Sequence, residues 1–191
     1  YIDNQCAGLK LATGDDVGRV TYRTDGIKDY TDYLYESING DLSGLNVCID
    51  CANGASAAVA QQLFPRLGAK CTFIGVEPDG KNINAGVGST HLDNLEKAVV
   101  EGGFDCGIAF DGDADRCLAC DEKGQEIDGD KVIALLAMNM KEKGCLDGNT
   151  AVVTVMSNLG FIKFMESQGI HTEKTAVGDR YVLENMRENG Y

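Results

Sequence analysis

The sequence predicts an α/β protein, in which a three-layer α/β/α domain with a mainly parallel mixed sheet is followed by an incomplete second α/β unit. Apolar segments of strand length alternate with amphipathic segments of helix length, and glycine-containing turns separate them. The composition agrees, because 43% hydrophobic and 25% charged residues in a chain of 191 are enough to bury a core. Alternation of this kind is typical of helices layered on both faces of a sheet.

The first complete unit is expected at residues 41–146. Its strand candidates are short apolar segments, at residues 45–50, 70–76, 104–110 and 117–121, and a short extended piece follows the turn EKGQ. Its helix candidates carry apolar residues on one face, and they span residues 57–68, 91–103 and 129–144. Gly68 and Gly144 are placed to end the first and the last of these helices.

The flanks of this unit look incomplete. Residues 147–191 have the pattern of strand, helix, strand and helix, which is too little to bury both faces of a sheet, so we expect the chain to be cut from a longer protein. Residues 1–24 show no clear period. Residues 25–39 form a helix candidate whose apolar stripe is expected to pack against a neighbouring domain; the stripe consists of Ile27, Tyr30, Leu34 and Ile38.

Charge and hydropathy exclude several partners. Lysine and arginine number 17 against 30 acidic residues, and the net charge of −13 repels nucleic acid and anionic membrane surfaces. No apolar run approaches the roughly 18 residues needed to span a bilayer, and the N-terminus lacks a basic segment followed by an apolar one. We expect a soluble, cytoplasmic protein that binds neither nucleic acid nor membranes.

Eight cysteines raise the question of zinc. Cys48 with Cys51 and Cys117 with Cys120 form two C-x-x-C pairs, but both pairs fall on strand candidates, where residues three apart face opposite sides. The pairs also lie much further apart than the gap of about 15 to 20 residues in a zinc ribbon. We expect free thiols without disulfides or metal, which is typical of a reducing compartment.

Three aspartates at alternate positions carry the main functional signal. Asp111, Asp113 and Asp115 follow an apolar strand candidate, so their carboxylates are expected to converge on one side and to repel one another unless a cation is bound. Oxygen donors without a nearby histidine or cysteine favour Mg²⁺ or Mn²⁺ over zinc, and three protein ligands leave positions for phosphate or water. A solvated acidic turn is the alternative, but Gly112 and Ala114 are small enough for close approach.

Two other motifs share this segment. The spacing matches an EF-hand loop with Glu122 at its last position, but that loop needs a glycine where this chain has Arg116, and the flanks are strand-like rather than helical. The aspartyl nucleophile of haloacid-dehalogenase phosphatases also follows a strand as D-x-D, yet that motif continues with glycine and threonine. The chain has Ala114 and Asp115 there, so we expect neither motif.

DGDADR at 111–116, with a strand candidate before it and DEKGQEIDGD at 121–130 after it, resembles the metal-binding loop of the α-D-phosphohexomutases. Three further segments are similar to the branch of that family that acts on amino-sugar phosphates; they are NINAGVGSTH (82–91), VVTVMSNLGF (152–161) and TAVGDRYVLENM (175–186). The resemblance covers nearly the whole chain, most firmly from Gly44 onward. It implies a four-domain enzyme, and the domains expected here are the end of the phosphoserine domain with a connecting helix (1–40), domain II (41–146) and the start of domain III (147–191).

The resemblance also implies a chemistry. Such enzymes pass a phosphoryl group from an enzyme phosphoserine to glucosamine 6-phosphate, and the 1,6-bisphosphate returns its other phosphate to leave glucosamine 1-phosphate. Mg²⁺ held by the three aspartates would neutralise charge on the transferring oxygens, and Arg116 would contact phosphate with its planar fork. The phosphoserine loop, the sugar-contacting loop and the phosphate-binding domain would lie outside the chain. The fragment is therefore expected to hold the metal, to depend on the missing domains and to be inactive alone.

Weaker signals mark two substrate-binding candidates. His91 closes a glycine-rich stretch that, by the resemblance, faces the interdomain cleft and its phosphosugar; the other interpretation is that Ser89 or Thr90 caps the next helix. Asp179 and Arg180 lie at a strand-to-helix turn, where open α/β sheets bind ligands, and the resemblance implies an approach to the sugar phosphate. The other interpretation is structural: Asp179 would cap the last helix and Arg180 would form an ion pair on the surface.

Two classes of function stay open. One is part of a phosphohexomutase, acting on glucosamine, glucose or mannose phosphates; the other is a free-standing divalent-metal-binding module without catalysis. The residues that choose the sugar are expected beyond Tyr191, and the oligomeric state is open.

Overall fold

A computed structural model describes residues 6–191, so the expectations for residues 1–5 lie outside the described residues. The helices are α1 (Gly26–Ser37), α2 (Ala57–Arg66), α3 (Asp93–Gly102), α4 (Gly129–Glu142), α5 (Leu159–Ser167) and α6 (Asp179–Asn189). The strands are β1 (Asn46–Asp50), β2 (Lys70–Ile74), β3 (Cys106–Phe110), β4 (Cys117–Asp121), β5 (Glu126–Ile127), β6 (Thr150–Thr154) and β7 (His171–Thr175). Each expected element is present, with ends shifted by a few residues.

The first sheet has five strands in the order β2-β1-β3-β4-β5. Strands β2, β1 and β3 are parallel, whereas β4 pairs antiparallel with β3 and β5 antiparallel with β4. The expected mainly parallel, mixed sheet is confirmed. Because β3 and β4 form a hairpin, the segment that joins them, residues 111–116, is a tight loop at the carboxyl end of β3.

Helices cover both faces of this sheet. Val47 and Ile49 of β1 pack with α2 through Ala57 and Ala60, while Cys48 between them packs on the other face with Leu95 of α3. The side chains of β1 therefore alternate between two apolar layers, as a strand buried on both faces requires. The expected three-layer α/β/α domain is confirmed.

The second unit is a parallel pair of strands, β6 and β7. Val153 of β6 packs with Phe161 and Met165 of α5, and Ala137 of α4 joins the same apolar cluster. Asp130 near the start of α4 accepts hydrogen bonds from the backbone and side chain of Asn158, at 2.9 and 2.7 Å. Helix α4, which the sequence places in the first unit, therefore packs with the second.

Helix α1 packs on α2 and contributes little to the core. Thr31 is its buried residue, whereas Ile27, Tyr30 and Ile38 of the expected stripe are exposed. Arg66 of α2 pairs with Asp32 and lies 3.9 Å from the ring centre of Tyr35. Within residues 6–191, no helix has the length and apolar composition to cross a membrane.

The eight cysteines are free thiols, and their exposure and pKa predict which of them react first and which react last. Burial raises the pKa of Cys48, Cys51 and Cys120 to about 11, which leaves little thiolate for nucleophilic attack. Cys117 is exposed, but burial of its thiol raises its pKa. The other two exposed cysteines are Cys6 and Cys145. We expect titration with an aromatic disulfide to modify these two first and the buried three at least about a hundredfold more slowly. Fast modification of a buried thiol in the folded chain would contradict this packing.

Candidate metal centre

The site lies at the carboxyl-terminal edge of the first sheet. Parallel strands β1, β2 and β3 end there at Asp50, Ile74 and Phe110. The chain runs from β1 outward to β2 and then across to β3, so the direction of winding reverses between β1 and β3. In open α/β sheets, ligands bind at this point of reversal. The loop of residues 111–116, called the aspartate loop from here on, begins at this point at the end of β3.

The loop turns sharply within six residues. Ala114 has a positive φ of 62°, and its amide donates to the carbonyl of Asp111 at 3.1 Å. The Asp111 amide in turn donates to the carbonyl of Arg116 at 3.3 Å, which closes the loop onto the hairpin. As a result, carboxylate oxygens of Asp111, Asp113 and Asp115 all lie within 4.8 Å of one another. The expected convergence of the three carboxylates is confirmed.

Asp111 and Arg116 form the anchored part of the loop. The Asp111 side chain is buried, and its Oδ2 accepts from Arg116 Nε at 2.7 Å while its Oδ1 accepts from the Arg116 backbone amide at 3.1 Å. Burial by itself raises the pKa of the Asp111 carboxyl, but the bonds from Arg116 outweigh it and hold that pKa below its usual value. Asp111 is therefore ionised at neutral pH.

Asp115 shows the repulsion that the sequence predicts. The charge of Asp113 is the largest cause that raises the pKa of Asp115, followed by burial and by the charge of Asp111. Arg116 Nε lies 3.6 Å from Asp115 Oδ1, but the charge of this single arginine does not cancel the rise. Three hard oxygen donors with excess negative charge fit a divalent cation of the Mg²⁺ type. Within residues 6–191, this is the one cluster of carboxylate, thiol or imidazole groups close enough to share an ion.

Two neighbouring segments brace the loop. The amide of Ala55 donates to the carbonyl of Gly112 at 2.9 Å, and the amide of Ser89 donates to the carbonyl of Phe110 at 2.9 Å. Gly54 lies so close that a Cβ there would be 2.3 Å from the Gly112 oxygen. The carbonyls on either side of Asp111 are therefore both held by backbone from other loops.

Sequence reasoning missed Asp50, the buried carboxylate at the end of β1 that contacts both of these segments. The available signal was an acidic residue directly after the apolar segment VCI, followed by the glycine-containing turn CANGAS. An ionisable side chain at the end of a buried central strand is rarely there without hydrogen-bond partners.

His91 is exposed, and its amide donates to the carbonyl of Gly88 at 2.9 Å. It therefore lies two residues after Ser89, whose amide donates to the carbonyl of Phe110 at the end of β3, next to the aspartate loop. The alternative, in which Ser89 or Thr90 caps the next helix, is wrong: α3 begins at Asp93 after Leu92, without a side-chain cap.

Asp179 and Arg180 belong to the second unit, at the start of α6. Asp179 Oδ1 accepts from the Arg180 amide at 2.8 Å, and Gly178 precedes the helix. Arg180 Nε bonds Glu184 Oε1 at 2.8 Å on the same helix, with an exposed side chain. Both residues lie beyond the carboxyl end of β7, on a different sheet from the aspartate loop.

Comparison with known proteins gives two family matches. Residues 28–124 match the model of phosphoglucomutase/phosphomannomutase α/β/α domain II, and residues 128–191 match the model of α/β/α domain III. A phosphoglucosamine mutase of Clostridium tetani is 53% identical over 190 residues, which is 100% of this chain and 42% of that protein. A phosphoglucosamine mutase of an Arthrobacter species is 54% identical over 179 residues, 94% of this chain and 40% of that protein. The chain thus spans about 40% of the length of these relatives.

Solved structures agree on the fold. A phosphoglucomutase/phosphomannomutase family protein from Burkholderia thailandensis superposes with a TM-score of 0.72 at 23% identity, covering 86% of this chain and 36% of that one. An N-acetylglucosamine-phosphate mutase superposes with a TM-score of 0.61 at 20% identity, covering 85% of this chain and 39% of that one.

Proposed function

The chain belongs to the phosphoglucomutase/phosphomannomutase family, and from this premise we propose that it supplies the metal-holding part of a phosphoglucosamine mutase. The reaction would interconvert glucosamine 6-phosphate and glucosamine 1-phosphate through an enzyme phosphoserine and a 1,6-bisphosphate. One observation carries the proposal: three carboxylates of one hairpin loop lie within 4.8 Å of one another, beside an exposed arginine. The names of relatives that are more than half identical support the choice of sugar.

Asp111, Asp113 and Asp115 would hold Mg²⁺. When bound, such an ion neutralises charge on the transferring phosphoryl group and orients it. Asp111 has a second role, because its bonds to Arg116 fix the start and the end of the loop. The exposed Asp113 and Asp115 would provide the adjustable part of the ligand set.

Arg116 would bind a phosphate oxygen of the substrate. Its Nε is engaged by Asp111, and its side chain is 65% exposed, so the rest of the guanidinium fork is accessible from solvent. A planar fork can donate two parallel hydrogen bonds to phosphate, which a lysine ammonium cannot. We place His91, Asp179 and Arg180 on the phosphosugar side of the cleft. The support is their position between the end of a strand and the first turn of the next helix: His91 lies shortly before α3, and Asp179 and Arg180 begin α6.

The boundary between the two family domains belongs to the same proposal. We place it near residue 128 rather than at the expected residues 146 and 147. Helix α4 shares an apolar cluster with α5 and β6, and the two family models meet between residues 124 and 128. Residues 26–37, helix α1, would connect the unit to the phosphoserine domain.

A mutase assay tests the function. The chain is joined to the remaining domains of its C. tetani relative, and conversion of glucosamine 6-phosphate is followed with and without Mg²⁺. We expect Mg²⁺-dependent turnover, with glucosamine phosphate preferred over glucose and mannose phosphates. Turnover confined to glucose or mannose phosphates would assign the chain to a phosphoglucomutase or phosphomannomutase instead. A chain that binds Mg²⁺ in a hybrid that transfers no phosphoryl group would favour the non-catalytic metal module.

Arg116→Lys separates phosphate contact from metal binding. Lysine keeps the charge near Asp111 but loses the fork, so we expect Mg²⁺ affinity within about threefold of the unaltered chain and turnover lowered by about tenfold to a hundredfold. Calorimetry measures the first quantity and the hybrid enzyme the second. The control is Arg187→Lys on α6, away from the loop. Loss of Mg²⁺ affinity in Arg116→Lys would show instead that the bond from Arg116 Nε to Asp111 is needed to position the metal ligands.

A further inference from the structure

Asp50 is a fully buried carboxylate, 0% exposed, at the end of β1, an interior strand of the first sheet. Its oxygens accept hydrogen bonds from two backbone amides, Oδ1 from Ala52 at 2.9 Å and Oδ2 from Gly88 at 2.7 Å. The second bond joins residues 38 positions apart in the chain. Burial raises the pKa of this carboxyl, and the two amide bonds oppose the rise because they favour the ionised form. None of the roles proposed above uses this group.

The first oxygen positions the turn after β1. Ala52 and Asn53 both adopt positive φ, 55° and 49°, so this turn departs from an ordinary strand end and is held by its contacts. Two residues further on, the turn meets the aspartate loop, where the Ala55 amide bonds the Gly112 carbonyl and Gly54 packs against Gly112. Asp50 Oδ1 is thus connected to the residue after Asp111.

The second oxygen positions the glycine-rich turn before α3. Gly88 has a φ of 85°, and a Cβ there would lie 2.6 Å from the Ala52 side chain and 2.7 Å from the Phe110 oxygen. The next residue, Ser89, is buried and donates its amide to the Phe110 carbonyl. Asp50 Oδ2 is thus connected to the residue before Asp111.

We infer that Asp50 is a positioning residue of the metal centre, whose two oxygens fix the two backbone segments that hold the carbonyls on either side of Asp111. The inference rests on the metal site proposed above. It assigns to Asp50 no contact with metal or substrate: Asp50 determines where Asp111 lies relative to the carboxyl ends of β1 and β3. Asparagine at this position would keep one acceptor but present an amide N–H to one of the two backbone donors, so it cannot hold both segments.

The test compares Asp50→Asn with Asp121→Asn in the 191-residue chain. Asp121 is the charge control: its Oδ1 alone accepts two backbone amides, from Lys123 and Gln125, so asparagine can keep both bonds, and the residue lies at the opposite end of the same sheet. Amide hydrogen exchange of Gly88 and the dissociation constant for Mg²⁺ are measured well below the unfolding midpoint of each variant. We expect Asp50→Asn to speed Gly88 exchange at least about tenfold and to raise the dissociation constant about three- to tenfold. Asp121→Asn should change neither quantity.

The outcomes separate the inference from the proposed function. A folded Asp50→Asn chain with unaltered Mg²⁺ affinity overturns the inference. A different result, no saturable Mg²⁺ binding in the unaltered chain, overturns the metal site itself. If Asp50→Asn does not fold, amide exchange of Gly88 in the unaltered chain, measured with and without Mg²⁺, still tests the inference. Coupling is reciprocal, so saturation with Mg²⁺ must slow exchange of the Gly88 amide, and an exchange rate independent of Mg²⁺ contradicts the inference.

Discussion

Replacing Asp113 by asparagine is expected to remove saturable Mg²⁺ binding and to lower phosphoryl transfer by about a hundredfold or more in the hybrid enzyme. The side chain keeps its shape and loses its charge, so the ligand set falls from three carboxylates to two. Asp113 is exposed, and its charge is the largest cause of the raised pKa of Asp115, so its removal relieves repulsion within the loop. The thermal midpoint should therefore stay unchanged or rise.

Calorimetry with Mg²⁺, the mutase assay and a thermal scan measure the three quantities for Asp113→Asn. Asp147→Asn serves as the control, because it removes the same charge from an exposed aspartate in the second unit. Near-normal turnover in Asp113→Asn would make the segment an acidic surface turn and remove the basis of the proposed function. A large fall in thermal midpoint would instead show that Asp113 is needed for folding.

Patterns of apolar and polar residues within one segment predict most of the fold, because the burial of that segment determines which positions must be apolar. The segment around Val47, Cys48 and Ile49 is apolar throughout, as a strand covered on both faces must be, and Asp111, Asp113 and Asp115 converge because they follow a strand and share one turn. These are properties of neighbouring residues. The sequence therefore predicts the three-layer domain and the candidate ligands together.

Contacts between distant segments are not encoded in local patterns. The apolar face of α4 predicts that the helix is buried, but it does not identify the sheet that buries it; the hydrogen bonds between Asp130 and Asn158 answer that question. The partner of Asp50 is likewise Gly88, and a single acidic residue after a strand does not indicate which turn will return to it. Residue patterns thus identify the ligands of the site but not the residues that position them.

Gly54→Ala is expected to distort the metal centre by a clash with the backbone of Gly112, without changing any proposed metal ligand. Gly54 is not among the residues with positive φ, so alanine is compatible with its backbone conformation and the effect is steric. The added methyl group would lie 2.3 Å from the Gly112 oxygen and 2.7 Å from the Gly112 Cα, both of which are backbone atoms that cannot rotate away. Either the turn after β1 or the aspartate loop must move.

We expect Gly54→Ala to cost about 1–3 kcal/mol of unfolding free energy, as other overpacked sites do. In a chain of this size that corresponds to a thermal midpoint lower by about 3–10 °C. Mg²⁺ affinity should fall as well, because the displaced segment holds the Gly112 carbonyl next to Asp111. Gly129→Ala is the matched control: it begins α4 and has nothing within 4 Å of the added carbon, so its midpoint should stay or rise. A Gly54→Ala chain with both quantities unaltered would show that the two loops are not in contact in solution, and it would remove the connection through Ala52 by which Asp50 Oδ1 is inferred to act.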